Sequence, residues 1–234
     1  HPEGTTYTLE PKVDGGSLSV HYVDRKLSMA LTRGDGTNGE DVTQAALTIA
    51  DIPKTLPIGL PPTLNIRGEV FITMSQFNRL NDELARVGRD PYKNRRNLAN
   101  GSMKLKDVRE VAHRKLSFMP WQILGIESAP GFLSPDAEDP NIPESVKLTT
   151  MGRTGLEHSQ ALEFVHRLAH TRQPQCWRVY DKKHLAAAIE HNRVLRAELW
   201  EKGMGMETHG IFIKLDATEH RRALGLGTKS PRWA

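Results

Sequence analysis

The chain has 234 residues, 38% hydrophobic and 26% charged, with 32 Lys and Arg against 28 Asp and Glu, a net charge of +4 and a pI near 9.2. That length can bury a core as one substantial mixed α/β domain or two small ones, and the mild basic excess suits an anionic partner. The single cysteine, Cys176, excludes an internal disulfide framework and any multi-cysteine zinc site, while no apolar run nears the roughly 20 residues that cross a bilayer and His1-Pro2-Glu3-Gly4 is no signal peptide, so a soluble cytoplasmic protein is expected.

Three strands are predicted at the start, over Tyr7 to Asp14, Leu18 to Tyr22 and Lys26 to Thr32, the last two joined as a hairpin through Val23-Asp24-Arg25. A glycine-rich segment follows, and Thr43 is placed to cap a short helix toward Ile52 that the prolines from Pro53 onward end. Leu64 to Ile72 alternates as a strand, with Arg67 and Glu69 on one face and Ile66, Gly68 and Val70 on the other. Ser75 begins an amphipathic helix toward Val87. Asp90 to Met103 is dense in polar and basic residues and reads as a functional loop or broken helix. Leu116 to Ile126 is an apolar strand with Trp121 near its middle, and Glu127 to Val146 a surface excursion. The last third alternates a helix from Ser159 to about His170, a strand at Cys176 to Tyr180, a helix from Asp181 to Lys202 and a strand at Gly210 to Leu215.

The first strand carries the most chemistry. Glu10, Lys12 and Asp14 fall at alternate positions and share one face. A lysine between two carboxylates is either a nucleophile's setting or an ion-pair ladder, and a bare K-x-D-G string arises easily by chance. The unusual segment Thr32-Arg33-Gly34-Asp35-Gly36-Thr37-Asn38-Gly39-Glu40-Asp41-Val42-Thr43 favours the nucleophile. The last strand carries a second lysine, Lys214, on the face of Phe212 and opposite Ile211 and Ile213. Inside a protein it needs a phosphate or carboxylate; at a strand end it snorkels to water.

These segments stand in a family order: E-P-K-V-D-G from Glu10, T-R-G-D-G-T-N-G-E-D-V-T from Thr32, R-G-E-V from Arg67, R-R-N-L-A-N-G-S-M-K from Arg95, H-G-I-F-I-K from His209 and S-P-R-W-A from Ser230. In this the chain resembles the adenylation domain of bacterial NAD-dependent DNA ligases. The resemblance implies an α+β nucleotidyltransferase (ATP-grasp-like ligase) fold, antiparallel sheets flanked by helices around a nucleotide cleft. It also implies that residues 1–234 form one adenylation domain, truncated at both ends relative to the family and working as a monomer within a larger ligase on nicked double-stranded DNA.

The implied reaction is attack of Lys12 on the α-phosphate of NAD, giving lysyl-AMP and nicotinamide mononucleotide, with Mg²⁺ neutralising phosphate charge. A free lysine, with a pKa of about 10.4, must lose its proton first. Asp14 and Lys214 share the catalytic role. Glu10, Gly15, Arg33, Glu69, Trp121 and Lys214 match nucleotide-binding positions: Glu10 at the adenine, Trp121 stacking on it, Glu69 on the ribose, Lys214 on the α-phosphate. Arg95, Arg96 and Lys104 match basic positions near DNA, and Asp14 and Glu69 are the carboxylates open to a metal. Three positions depart from the pattern: His209 replaces an aspartate, Arg95 a proline and Lys104 an arginine. Because Mg²⁺ prefers oxygen donors, His209 keeps a second reading open, a nucleotide- and nucleic-acid-binding module with impaired catalysis. An ATP-using nucleotidyltransferase is a third.

Overall fold

The structure is a computed structural model and describes residues 5–34, 39–58, 60–127, 157–168, 178–181, 184–201 and 208–224. In chain order the elements begin with β1 (Thr6–Val13), β2 (Gly16–Val23), β3 (Lys26–Thr32), α1 (Thr43–Ala46), β4 (Thr63–Phe71), α2 (Met74–Arg86), α3 (Arg95–Met103) and α4 (Val108–Arg114). They continue with β5 (Ser117–Glu127), α5 (His158–Leu168), β6 (Arg178–Asp181), α6 (Leu185–Glu201), β7 (Thr208–Leu215) and α7 (Thr218–Leu224).

The strands form two antiparallel sheets, one in the order β6-β1-β7 and the other β3-β2-β4-β5. Only Asp14 and Gly15 separate β1 from β2, so the chain passes from one sheet to the other within the Lys12-Val13-Asp14-Gly15 string. Gly15 is required there, because a Cβ would overlap the Val70 carbonyl oxygen of β4. The predicted hairpin turns on Asp24 and Arg25, both left-handed at φ 48° and 63°, as a two-residue turn of the type I′ family demands. Neither is glycine. The turn is held instead by Arg25, whose N–H donates to the Pro62 carbonyl and whose own carbonyl accepts from Leu56 N–H.

Period-two alternation gives the larger sheet two unlike faces. Leu18, Val20, Tyr22, Ala30, Leu64, Ile66 and Val70 are buried in one core cluster with Ile49, Ile52 and Leu56 of the loop after α1, Leu80 of α2, Leu98, Ala99 and Met103 of α3, and Val111 of α4. The opposite face carries Ser17, Arg67 and Glu69, which open onto a cleft. Helix α5 packs along β5 and sends Phe164 into this core, while α6 covers the smaller sheet.

Two local expectations change. Thr43 is the first residue of α1 and not its cap: its hydroxyl accepts the Ala30 N–H at 2.9 Å, and Asp41 accepts both the Thr43 N–H and hydroxyl. Asp90 to Met103 contains an unbroken nine-residue helix, α3, capped by the Asn94 side chain on Asn97 N–H at 2.7 Å. Its asparagines, glycine and serine have weak helix propensity, and burial of Leu98, Ala99 and Met103 overrides it. All but Glu127 of the predicted surface excursion, together with Cys176, Asp35 to Asn38 and the S-P-R-W-A end, lie outside the described residues.

Gly68 tests this packing. It pairs with Pro120 of β5, and a Cβ there would overlap the Phe118 ring and the Met119 carbonyl oxygen. Gly68→Ala is expected to lower stability by about 1–3 kcal/mol, read as a shift in the urea midpoint at constant slope; an unchanged midpoint would show that the β4–β5 ladder and Phe118 both yield freely.

Candidate active site

The two sheets enclose a cleft of about 1090 Å³. It brings together Glu10, Lys12, Asp14 and Gly15 from the junction, Arg33 after β3, Glu69 of β4, Arg96 and Lys104 at the two ends of α3, Trp121 of β5 and Lys214 of β7. These residues span more than 200 positions of sequence, and strand register puts them side by side. Thr8 pairs with Lys214 and Glu10 with Phe212 across β1 and β7, so all four share the sheet face that also carries Lys12.

The ion-pair ladder does not form. Glu10 Oε2 accepts from Lys214 Nζ at 2.6 Å. Asp14 lies on Arg96 Nη1 at 3.1 Å through Oδ1 and on His209 Nε2 at 3.3 Å through Oδ2. Both flanking carboxylates are thus taken by other cations or donors. Among the described residues Lys12 makes no ion pair; its exposed ammonium lies 5.5 Å from the centroid of the Phe212 ring.

Lys214 does not snorkel. It is buried with Glu10 beneath the N-terminus of α5, its ammonium 5.2 Å from the Trp121 ring centroid and 5.5 Å from that of Phe212. Burial pulls the Lys214 amine below its ordinary value, against the opposing pull of Glu10. For Glu10, burial by itself would raise the carboxyl, but the hydrogen bond from His158 and the charge of Lys214 overcome it and hold the group at about 2. His158 Nε2 lies 2.7 Å from Glu10 Oε1. Burial lowers this histidine too, which favours a neutral ring donating its Nε2–H. Sequence reasoning passed over His158 and Asp216, the buried residue that anchors it. The only signal was a polar pair, His158-Ser159, at a predicted helix start, which reads as capping; nothing local ties it to a carboxylate 148 residues away.

Glu69 faces the cleft as its strand period predicts. Burial raises its carboxyl to about 7, against the charge of Arg96 and hydrogen bonds from the Trp121 indole and the Gly15 N–H. The β4–β5 ladder slips between Arg67 and Gly68, and Trp121 falls at this irregularity, which turns its ring into the cleft instead of the core. Arg67 extends this polar face: it donates from Nε to Ser19 Oγ at 3.3 Å, and burial and then the nearby Arg33 lower its guanidinium below the ordinary value.

One expected contact residue is displaced. Arg95 is buried at the first turn of α3 and does not line the cleft, unlike the neighbouring Arg96. The helix turns successive residues about 100° apart, and with Leu98 and Ala99 facing the core Arg95 goes inward while Arg96 stays out. Lys104 is half-exposed and paired with Glu40 at 2.6 Å.

Two antiparallel sheets closing on a lysine whose flanking carboxylates are occupied elsewhere define an α+β domain that presents a lysine to a cleft. The chain matches the NAD-dependent DNA ligase adenylation domain model over residues 2–138, more than half its length, and it belongs to that family. It is 35% identical over 234 residues to a DNA ligase of Rhizobium meliloti, covering 100% of this chain and 29% of the relative. It is 34% identical over 236 residues to DNA ligase 1 of Opitutus terrae (99% and 31%) and 34% identical over 232 residues to a DNA ligase of Akkermansia muciniphila (99% and 26%). The chain thus spans 26–31% of the length of these curated relatives.

The Glu69 environment sets a pH dependence. The folded protein binds the Glu69 proton more tightly than the unfolded chain, so this group favours folding below its ordinary 4.5 and loses that contribution as pH rises through about 7. The loss is worth roughly 3 kcal/mol at most. Glu69→Gln should flatten the decline in urea-measured stability between pH 4.5 and 8; a variant that declines like the parent would place the titration on another group.

Proposed function

We propose that this chain carries AMP on Lys12 as a phosphoramidate drawn from NAD, and that it is the adenylation domain of a larger ligase that passes this AMP to the 5′-phosphate of a DNA nick. The observation that carries the reading is the amine of Lys12, which makes no ion pair among the described residues and lies in a cleft where its two flanking carboxylates, Glu10 and Asp14, are taken by Lys214 and Arg96. NAD, when bound, supplies an electrophilic α-phosphate with nicotinamide mononucleotide as leaving group. The Lys12 ammonium sheds one proton to water and its nitrogen lone pair forms the P–N bond, while the bridging P–O bond breaks with its electrons on the departing phosphate; the nitrogen's second proton then leaves to water, giving the phosphoramidate.

The remaining residues bind and orient. Trp121 offers a π-face for the base beside Glu10 and Lys214. Glu69, poised near neutrality, suits a hydroxyl pair such as a ribose presents, because it can accept as an anion or share a proton. Arg33 faces the same cleft and fits a phosphate. Lys214, buried with Glu10, fits the base end better than the α-phosphate, which lies nearer Lys12.

A magnesium cage is not among the features of this site. Among the described residues no three His, Cys, Asp or Glu side chains converge, and the Asp14 oxygens face Arg96 and His209. Magnesium characteristically keeps water and substrate phosphates as ligands with one or two carboxylates, so Asp14 and Glu69 are the pair to supply them. No described helix is long and apolar enough to cross a membrane.

Incubation with NAD, and separately with ATP, followed by intact-mass measurement tests the reading. One added AMP from NAD, absent in Lys12→Ala, is the expected result. An adduct from ATP alone would identify an ATP-using nucleotidyltransferase, and an unchanged mass with both donors would sink the carrier role. Arg96 and Lys104 are exposed cations at the cleft rim, so binding to nicked duplex should fall steeply with salt. Lys104→Ala should weaken it about equally for all sequences and reduce the salt slope by about 1; an unchanged slope would move the DNA path elsewhere.

A further inference from the structure

Behind Glu10 and Lys214, which line the cleft, lies a group that phosphoryl transfer does not require. His158 is 3% exposed, 2.7 Å from Glu10 Oε1 and 3.5 Å from Lys214 Nζ. Asp216, just past β7, fixes it there. The Asp216 carboxylate accepts the Ser159 N–H at 2.7 Å and the Ser159 hydroxyl at 3.0 Å, its carbonyl accepts the His158 N–H at 2.9 Å, and its own N–H donates to Thr6 at 3.0 Å. One residue therefore ties together the strand that carries Lys214, the strand that carries Glu10 and the helix that carries His158.

The effect falls on the Glu10 carboxylate. Oε1 accepts from His158 and from Thr8 Oγ1 at 3.1 Å, and Oε2 accepts from Lys214. A carboxylate has about four acceptor positions, so three donors fix its plane and leave one acceptor for a ligand. Lys214 keeps donors beyond the one given to Glu10, and its ammonium already lies against the Trp121 ring that lines the cleft. Acceptor beside donor matches an amino group beside an unprotonated ring nitrogen, the edge of a 6-aminopurine. A 6-oxopurine offers the reverse, a carbonyl acceptor beside a ring N–H.

The geometry points to His158 as a specificity-determining positioning residue that, by donating to Glu10 Oε1, keeps the Glu10–Lys214 pair in the acceptor-donor order that takes adenine and refuses hypoxanthine. This rests on the adenylate reading above. Without His158, Glu10 is held on Oε1 by Thr8 alone, at 3.1 Å, and its carboxylate plane is free to turn about the Oε2 contact with Lys214, which takes the acceptor out of line with the donor. Arg221 of α7 is a further nearby cation that bears on all three groups, so its charge is to be left intact in the test.

The experiment is equilibrium binding of AMP and IMP to the parent protein, His158→Met and His158→Gln, with thermal melts to check folding. Met and Gln have similar length and volume, but only Gln keeps an N–H donor. The parent is expected to prefer AMP by about 100-fold, H158Q to retain most of that preference, and H158M to reduce it to less than about tenfold. Thr8→Val removes the other donor to Oε1 and should shift the ratio the same way by less, which covers the case in which H158M does not fold. An H158M ratio equal to the parent's, unchanged ratios in both H158Q and T8V, or a parent without preference overturns the inference. Absence of a Lys12 adduct would count against the adenylate carrier and leaves the AMP-to-IMP ratio readable.

Discussion

The pair of Glu10 and Lys214 is the constraint on which the rest of the site is arranged. Taking two charges out of water costs several kcal/mol each, and the attraction between them offsets that only when other hydrogen bonds complete the shell. Here Thr8 and His158 complete it on Glu10. Removing either charge leaves the other buried and uncompensated, at about 3–5 kcal/mol. The pair therefore clamps β1 to β7 and draws the N-terminus of α5 down over both. Its consequence reaches Lys12: the carboxylate two residues before the lysine is already spent on another cation.

Asp14 does the same on the other side, through Arg96 of α3 and His209 of β7. The lysine is left beside carboxylates without being neutralised by them, an arrangement that a flat view of E-P-K-V-D-G does not contain. The departure at His209 acquires a physical meaning in this setting. Where the resemblance leads one to expect a third carboxylate near Asp14, this chain puts a ring that faces Asp14 directly, so the pocket wall at that point is built from an internal contact. Glu69 feels the same network, and its raised carboxyl reflects burial, with Asp14 adding to it, that the Arg96 charge and two hydrogen bonds do not fully offset.

Much of the fold was legible because strands reveal themselves by alternation. The β2–β3 hairpin, the two-faced β4 and the face shared by Phe212 and Lys214 all follow from a period of two. Helix α3 was not legible, because Asn97, Asn100, Gly101 and Ser102 individually disfavour helix while the residues that decide the matter do so by packing on β4. Arg95 and Arg96 are chemically the same residue type, and only the orientation of α3 sends one into the interior and the other to Asp14. His158 was invisible for a similar reason: its role comes from a cap made by Asp216, which lies on the far side of two helices and two strands.

The sequence by itself determined the inventory of chemistry and its family: the order of motifs, the lysine between carboxylates, the strands that carry Glu10, Glu69 and Lys214. Those follow from residue identity and local period, which are properties of the string. Tertiary structure decided which charge meets which, that Lys12 makes no ion pair among the described residues, that Lys214 is buried rather than solvated, and that a histidine far along the chain backs the Glu10–Lys214 pair. Pairing and burial depend on strand register and helix docking between distant segments, and the Coulomb and desolvation energies that set each group's behaviour exist only once those segments have met.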